Sequence, residues 1–394
     1  MNPDSSADQE AAMVHVPTRG DVAPRLGPGV QHVPTWGPST MSREVYRDPV
    51  RFELERERVL GRSWLLAGRT AQIPDAGDWI TFEGHGETVV ITRQPDASMA
   101  AFHNTCQHRG PAIVKELQGC GARRFTCPYH GWVYDTTGKL VGVPEREDFG
   151  ALVDDVRAPK VAVDEWGGWI WINLAADASP SLTDWIGPEI MADLGQFRME
   201  DMVLREVVEY DVPVSYKAIV DGFNEVYHVG ELHHVRGDAL KAFRDTSFHI
   251  LESDVVQNYM CFVPRADKLD ALHATWDHHV NAICHYLVFP NTVFNCNPPH
   301  IQVFNPIPID VDRTRFLCWE LIYPGDETDT DYQQYLDTTM QSWEHLKVVV
   351  SEDIMIYDQL ARTKRSSGYT KHIFNERECK IAHYHQQMDQ RIRD

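Results

Sequence analysis

The chain has 394 residues, with 37 lysines and arginines against 58 aspartates and glutamates, a formal net charge of −21, and 43% hydrophobic residues. That length accommodates two domains of ordinary size, and the acidic balance argues against a nucleic-acid partner, whose phosphates need a basic face. No apolar run reaches the length of a membrane span, and the start Met1-Asn-Pro-Asp-Ser-Ser lacks the basic and apolar regions of a signal peptide, so the expectation is a cytoplasmic protein with no membrane partner.

Residues 1–38, rich in Pro, Gly and small polar residues, read as a flexible N-terminal tail. Residues 39–61 read as an N-terminal helical segment: Asp48 caps a helix with Pro49 in its first turn, and Val50 with Leu54 and Phe52 with Val59 stand at helical spacings. From Trp64 the period changes to two, which predicts strands over 79–83, 87–92 and 99–103, a strand-turn-strand over 132–140, and a buried strand over 166–174 that closes a small β domain of residues 62–176.

Inside that domain lie Cys106-Gln-His108 and, eighteen residues later, Cys127-Pro-Tyr-His130. Two short loops that each bring one thiolate and one imidazole make a four-ligand clamp at little entropic cost. Tetrahedral zinc accepts such a set. So does a Rieske [2Fe-2S] centre, where thiolates hold one iron and imidazoles the other. The six other cysteines, Cys120, Cys261, Cys284, Cys296, Cys318 and Cys379, have no repeated spacing and read as free thiols.

Residues 177–394 form the second domain. It opens with a linker carrying short helical pieces to about 200, then a strand over 204–210, a helix from Tyr216 to about Gly230, and a polar segment to about 250. Strands follow over 282–289, 301–305 and 315–321, then two helices over 330–363 and a last helix from Asn375, where Asn-Glu-Arg-Glu reads as a capping box. Strands with helices packed to one side predict an α+β domain.

The helix from Tyr216 carries a second ligand set. Glu225 and His228 are three apart on one face, whereas His233 lies five residues further, about 140° round a regular helix. It joins them only if the helix unwinds, and Gly230 permits the break. Two imidazoles and one carboxylate from elsewhere would form a 2-His-1-carboxylate facial triad, which leaves metal positions open. Taken alone, Glu225 reads as a solvated helix residue paired with a Lys or Arg.

His-Arg-Gly after the first pair, Pro-Tyr-His-Gly-Trp around the second, and Glu-x-Tyr-His-x-x-x-x-His at 225–233 resemble the Rieske non-haem iron (aromatic ring-hydroxylating) oxygenases, terminal oxygenase alpha subunits, over about residues 40–390. The resemblance implies an all-β Rieske [2Fe-2S] domain plus a helix-grip (Bet v1/START-like) mononuclear iron domain with an antiparallel sheet, on which the 39–61 segment packs. It implies that Cys106, His108, Cys127 and His130 hold the cluster, and that His228, His233 and Asp353 of Ser351-Glu352-Asp353 hold Fe(II), with Glu352 the rival to Asp353 and His234 the rival to His233. Glu225 matches the family's carboxylate that bridges the iron histidine of one subunit to a cluster histidine of its neighbour, within a head-to-tail homotrimer, with or without a beta subunit. Electrons would come from NAD(P)H through a ferredoxin and/or flavin reductase, with O2 as co-substrate, to hydroxylate or demethylate a small aromatic substrate in a pocket of Val220, Phe223, Phe289, Asn295 and Phe304. Glu at 225, where many members have Asp, resembles the branch that acts on amines, so a quaternary or N-methylated amine is the second substrate reading.

The chain departs from the family pattern in Ser215-Tyr216-Lys217 for Asn-Trp-Lys, and in Asp221-Gly222 where an acid followed by Asn is usual. A different class, a metal-stapled binding or electron-transfer protein without catalysis, would leave the second set unused. His249, His273, His278, His279, His285 and His300 have no paired spacing with a carboxylate and read as surface or core.

Overall fold

The computed structural model describes residues 38–225, 227–233, 250–252, 258–262, 283–297, 300–375 and 378–393. The tail, the polar segment after residue 233, Ala282, and His234, His249, His273, His278 and His279 lie outside them. The first half runs β1 (Ser39–Ser42), α1 (Pro49–Arg58), β2 (Leu65–Arg69), β3 (Trp79–Gly84), β4 (Glu87–Arg93), β5 (Met99–His103), β6 (Gln118–Gly119), β7 (Arg124–Thr126), β8 (Val133–Asp135), β9 (Leu140–Gly142), β10 (Lys160–Trp166) and β11 (Trp169–Asn173). The second runs α2 (Leu182–Ile186), α3 (Pro188–Leu194), β12 (Val203–Val212), α4 (Tyr216–Gly222), α5 (Val229–Leu232), β13 (Ile250–Glu252), β14 (Asn258–Phe262), β15 (Ile283–Val288), β16 (Thr292–Asn297), β17 (His300–Asp310), β18 (Arg313–Ile322), α6 (Thr330–Thr363), β19 (Lys371–Phe374) and α7 (Cys379–Arg393).

Alternation along the strands puts apolar side chains on both faces of the first large sheet, ordered β2-β11-β10-β5-β4-β3-β6. In β4, Val90 joins a small core with Trp79, Phe102 and Tyr134 that also takes in Cys106 and Cys127, while Val89 and Ile91 join the large core shared with the second half. A three-stranded sheet, β7-β8-β9, completes the small core. The second large sheet is antiparallel throughout, β12-β18-β17-β16-β15-β14-β13. Helix α6 is tied to it where Trp343 donates to the Glu206 carboxylate, the α+β helix-grip arrangement.

Three sequence expectations change. Trp166 ends β10 rather than starting the next strand, because Gly167 and Gly168 (φ +62° and +72°) make a two-residue hairpin that pairs Trp166 with Trp169. The predicted pair of helices over 330–363 is the single helix α6, a stretch with no Gly or Pro to interrupt it. The helix from Tyr216 stops at Gly222. At the last helix, Glu376 and Arg377 lie outside the described residues, and Glu378 Oε2 accepts from Asn375 N at 2.9 Å.

Helix α1, capped by Asp48 Oδ1 on Val50 N at 2.9 Å, packs on α7. It also supplies Glu55, fully buried, whose two oxygens each lie 2.5 Å from Lys217 Nζ on α4. Lys217 also donates to the Val45 carbonyl. Removing one member of a buried pair strands the other's charge. Lys217→Ala is therefore expected to cost about 3 kcal/mol, the low end for such pairs, because Arg51 Nε stays 2.8 Å from Glu55 Oε1. Replacing both by apolar residues, Lys217→Met with Glu55→Leu, is expected to recover most of that loss, read by chemical denaturation.

Candidate metal centres

The two cysteine-histidine pairs are built by the same turn. Cys106 N donates to Pro111 O at 2.9 Å and Cys106 O accepts from Gly110 N at 2.9 Å. Cys127 N donates to Trp132 O at 2.8 Å and Cys127 O accepts from Gly131 N at 3.1 Å. Each turn closes on a glycine at positive φ, +85° at Gly110 and +71° at Gly131, a conformation that a side chain would strain. The pattern brings the His108 and His130 rings to 4.5 Å. His108 stacks on Trp132 at 4.8 Å, nearly parallel, and Tyr134 Oη donates to Cys106 Sγ at 3.3 Å while accepting from Gln107 N at 2.9 Å.

As protein alone this corner is costly. Both thiols are buried, burial and the neighbouring Cys106 push the Cys127 thiol up, and His108 Nδ1 is buried without a hydrogen-bond partner. A group that takes two thiolates and an imidazole nitrogen relieves all three, so the residues fit a Rieske cluster. His130 and Tyr129 are exposed, so the imidazole side of the corner faces outward.

The second set depends on a broken helix. After α4, Glu225 folds back: its Oε2 accepts from the backbone N–H of Tyr227 and, at 3.2 Å, of His228, while its Oε1 meets His228 Nδ1. Those N–H groups would otherwise continue the helix, and a side-chain acceptor competes for them. The break thus falls before His228, not at Gly230, which lies inside α5. His228 and His233 stand at the two ends of this one turn, with rings 5.2 Å apart.

Asp353 on α6 faces both. Its Oδ1 lies 3.3 Å from His233 Nε2 and 3.8 Å from His228 Nε2, and one ligand atom from each of the three residues lies within 4.8 Å of the others. Glu352 turns to the other nitrogen of His233, with Oε2 2.8 Å from Nδ1. The neighbours therefore divide: Asp353 points at the metal position and Glu352 orients an imidazole. Burial works to lower the pKa of both histidines, but the carboxylates at Glu225 for His228, and at Asp353 and Glu352 for His233, outweigh it and raise them. Two imidazoles and one carboxylate, backed by two further carboxylates, fit non-haem Fe(II).

Above the triad lies a cavity of about 170 Å³. Phe223, Asn295 and Phe304 line it as expected. Val220 and Phe289 do not: both are fully buried, and Phe289 packs on Trp185 and Tyr384. The sequence reading missed His285, Gln302 and the α6 face of Ser342, Leu346 and Val349, whose spacing to Asp353 is helical and was a usable signal. His285 is neutral, burial pulling its pKa down to about 3, with Nδ1 3.3 Å from the Phe223 carbonyl.

A family model described as the Rieske [2Fe-2S] domain matches residues 63–159, and one described as the ring hydroxylating alpha subunit catalytic domain matches residues 199–394. The biphenyl 2,3-dioxygenase alpha subunit of Rhodococcus jostii is 36% identical over 205 residues, 49% of this chain and 43% of that protein, so the chain spans less than half the length of this relative. The carnitine monooxygenase oxygenase subunit of Escherichia coli is 25% identical over 84% of this chain and 85% of its own. Among solved structures, a quaternary ammonium Rieske monooxygenase with an inhibitor superposes with a TM-score of 0.75 at 22% identity, covering 90% of this chain and 96% of that one. Naphthalene 1,2-dioxygenase with indole bound superposes at 0.70 and 19%, covering 90% and 92%.

With iron held by the triad, Asp353→Ala is expected to abolish Fe(II) uptake there, whereas Glu352→Gln weakens it about 10–100-fold. Ligation needs neutral imidazoles, and both rings hold protons more firmly than an ordinary histidine, so Fe(II) affinity is expected to fall with decreasing pH from above pH ~6.5. Iron titration of apoprotein from pH 8 to 6 checks both.

Proposed function

Because this chain belongs to the family of Rieske ring-hydroxylating oxygenase alpha subunits, we propose that it is the terminal oxygenase of a multicomponent system that hydroxylates or oxidatively demethylates a small aromatic substrate. The observation that carries the reading is the convergence of His228, His233 and Asp353 on one point at the wall of a cavity, with Glu225 joined to the outward nitrogen of His228. When bound, the cluster supplies electron transfer and the Fe(II) supplies O2 activation, with electrons from NAD(P)H by way of a ferredoxin and/or flavin reductase. Cys106, His108, Cys127 and His130 hold the one, and the triad holds the other. Glu225 fixes the tautomer of His228 and offers its carboxylate to a second donor.

That second donor comes from a neighbouring copy in a head-to-tail homotrimer. Glu225 also lines an outer cavity of about 770 Å³ whose rim carries Arg43, Arg47 and Lys364. Beside the exposed His130, the chain presents Glu145, Glu147, Asp148, Asp154 and Asp155, while the outer cavity carries both signs, with Asp221, Asp312 and Glu378 standing among the three cations. Apolar walls from Phe223, Phe304, Leu346 and Val349 suit an aromatic guest. A quaternary or N-methylated amine is the second reading, favoured by Glu at 225 and by the long match to the carnitine subunit. No described helix is long and apolar enough to cross a membrane, and we place the enzyme in the cytoplasm.

Metal and sulfide analysis with the visible spectrum tests the core of this reading: two cluster irons with labile sulfide plus one further iron per chain are expected, and a colourless, sulfide-free protein overturns it. Glu225→Ala is expected to keep both metals and normal reduction of the cluster while slowing substrate turnover. Unchanged turnover in that variant removes the bridge.

A further inference from the structure

One row of the second large sheet is polar where a core is expected. Register sets His285 of β15 opposite Asn295 of β16, Asn295 opposite Gln302 of β17, and Gln302 opposite Glu320 of β18. All four are at least nine-tenths buried. Burying such groups is costly unless their hydrogen bonds are met, and a satisfied buried network fixes side-chain direction.

Here the network fixes two amides. His300 Nδ1 lies 2.7 Å from Glu320 Oε1 and 3.0 Å from Gln302 Nε2, and Gln302 Oε1 faces the other way. It accepts from Asn295 Nδ2 at 2.5 Å and from Asn297 Nδ2 at 3.2 Å. Both line the cavity, Asn295 buried and Asn297 half-buried. With one N–H of its Nδ2 on Gln302, Asn297 has its Oδ1 and its second N–H to offer a guest. His285 beside it is uncharged, so this wall recognises by hydrogen bonding rather than by charge.

We propose that Asn297 is the specificity arm of the cavity: its amide, held by Gln302, hydrogen-bonds a hydroxyl or amino substituent on a small ring and so sets which edge of that ring faces the triad. The inference rests on the oxygenase reading and narrows its substrate class to ring compounds that carry a hydroxyl or amino substituent.

Isothermal titration of the whole protein with phenol, aniline and toluene tests it, since the three guests differ in the donor and little in shape. The affinity ratio of phenol or aniline to toluene is expected to fall at least about tenfold from wild type to Asn297→Leu. Toluene binding is expected to persist in Asn297→Leu, which separates recognition from a folding defect. An unchanged ratio in Asn297→Leu, or no binding of any of the three rings to wild type, overturns the proposal. Metal content and electron-dependent O2 uptake on the same preparations keep the two readings apart. An unchanged ratio in an iron-loaded, turning-over protein removes only the role of Asn297. A tenfold fall in a protein without mononuclear iron supports that role and removes the oxygenase reading.

Discussion

The carboxylate of Glu225 is the contact that sets the entry to the second centre and the direction of its first histidine. By accepting the N–H groups of Tyr227 and His228 it ends what would be a continuous helix, and by meeting His228 Nδ1 it sets that ring's direction. The break falls before His228, and the stretch from His228 to His233 remains one turn of helix, with Leu232 N on His228 O at 2.9 Å and His233 N on Val229 O at 3.2 Å. The two histidines bracket that turn, His233 leaving helical geometry at ψ 61°, and Asp353 needs only to arrive from α6. One side chain thus performs a backbone task, a tautomer task and a connecting task.

The rest of the fold holds that segment still. Helix α4 is pinned by Lys217 to Glu55 on α1, and at its end Gly222 lies so close to Tyr357 that an added Cβ would sit 2.6 Å from the hydroxyl. Tyr357 is on α6, one turn past Asp353, so the close approach brings the end of α4 and the acid-bearing turn of α6 into contact. The metal position is therefore set by packing between two helices and a sheet.

How much of this was legible in the sequence follows from the range of the interactions. Cys106, His108, Cys127 and His130 could be read because each pair lies within one tight turn, and turn chemistry is local. The same holds for the capping of α1 by Asp48. The helix break was anticipated but misplaced at Gly230, because glycine only permits a break, while the competing acceptor that causes it, Glu225, was read as a bridge alone. Choosing between Asp353 and Glu352 needed the azimuth of α6 against α5, which spacing does not contain. Val220 and Phe289 were assigned to the cavity on apolar character, yet apolar residues serve core and pocket alike, and the crossing of α4 over β17 and β18 decides between them. The polar row from His285 to Glu320 comes from four strands whose register no local pattern reveals.

Glu225 and Gly222 are the two residues that line both the inner cavity and the outer one. At that point the wall between the substrate space and the surface that a neighbouring subunit would meet is a single side chain and a residue that has none. The length of the side chain matters here. One oxygen of Glu225 caps the backbone of 227 and 228 while the other reaches the ring of His228, three residues on, and an aspartate at the same backbone position would be one methylene short of serving both. The chain then has to break its helix by some other acceptor or give up part of the contact with the imidazole. The choice of glutamate is thus coupled to the local backbone path as well as to the partner it faces, and the two cannot be varied independently.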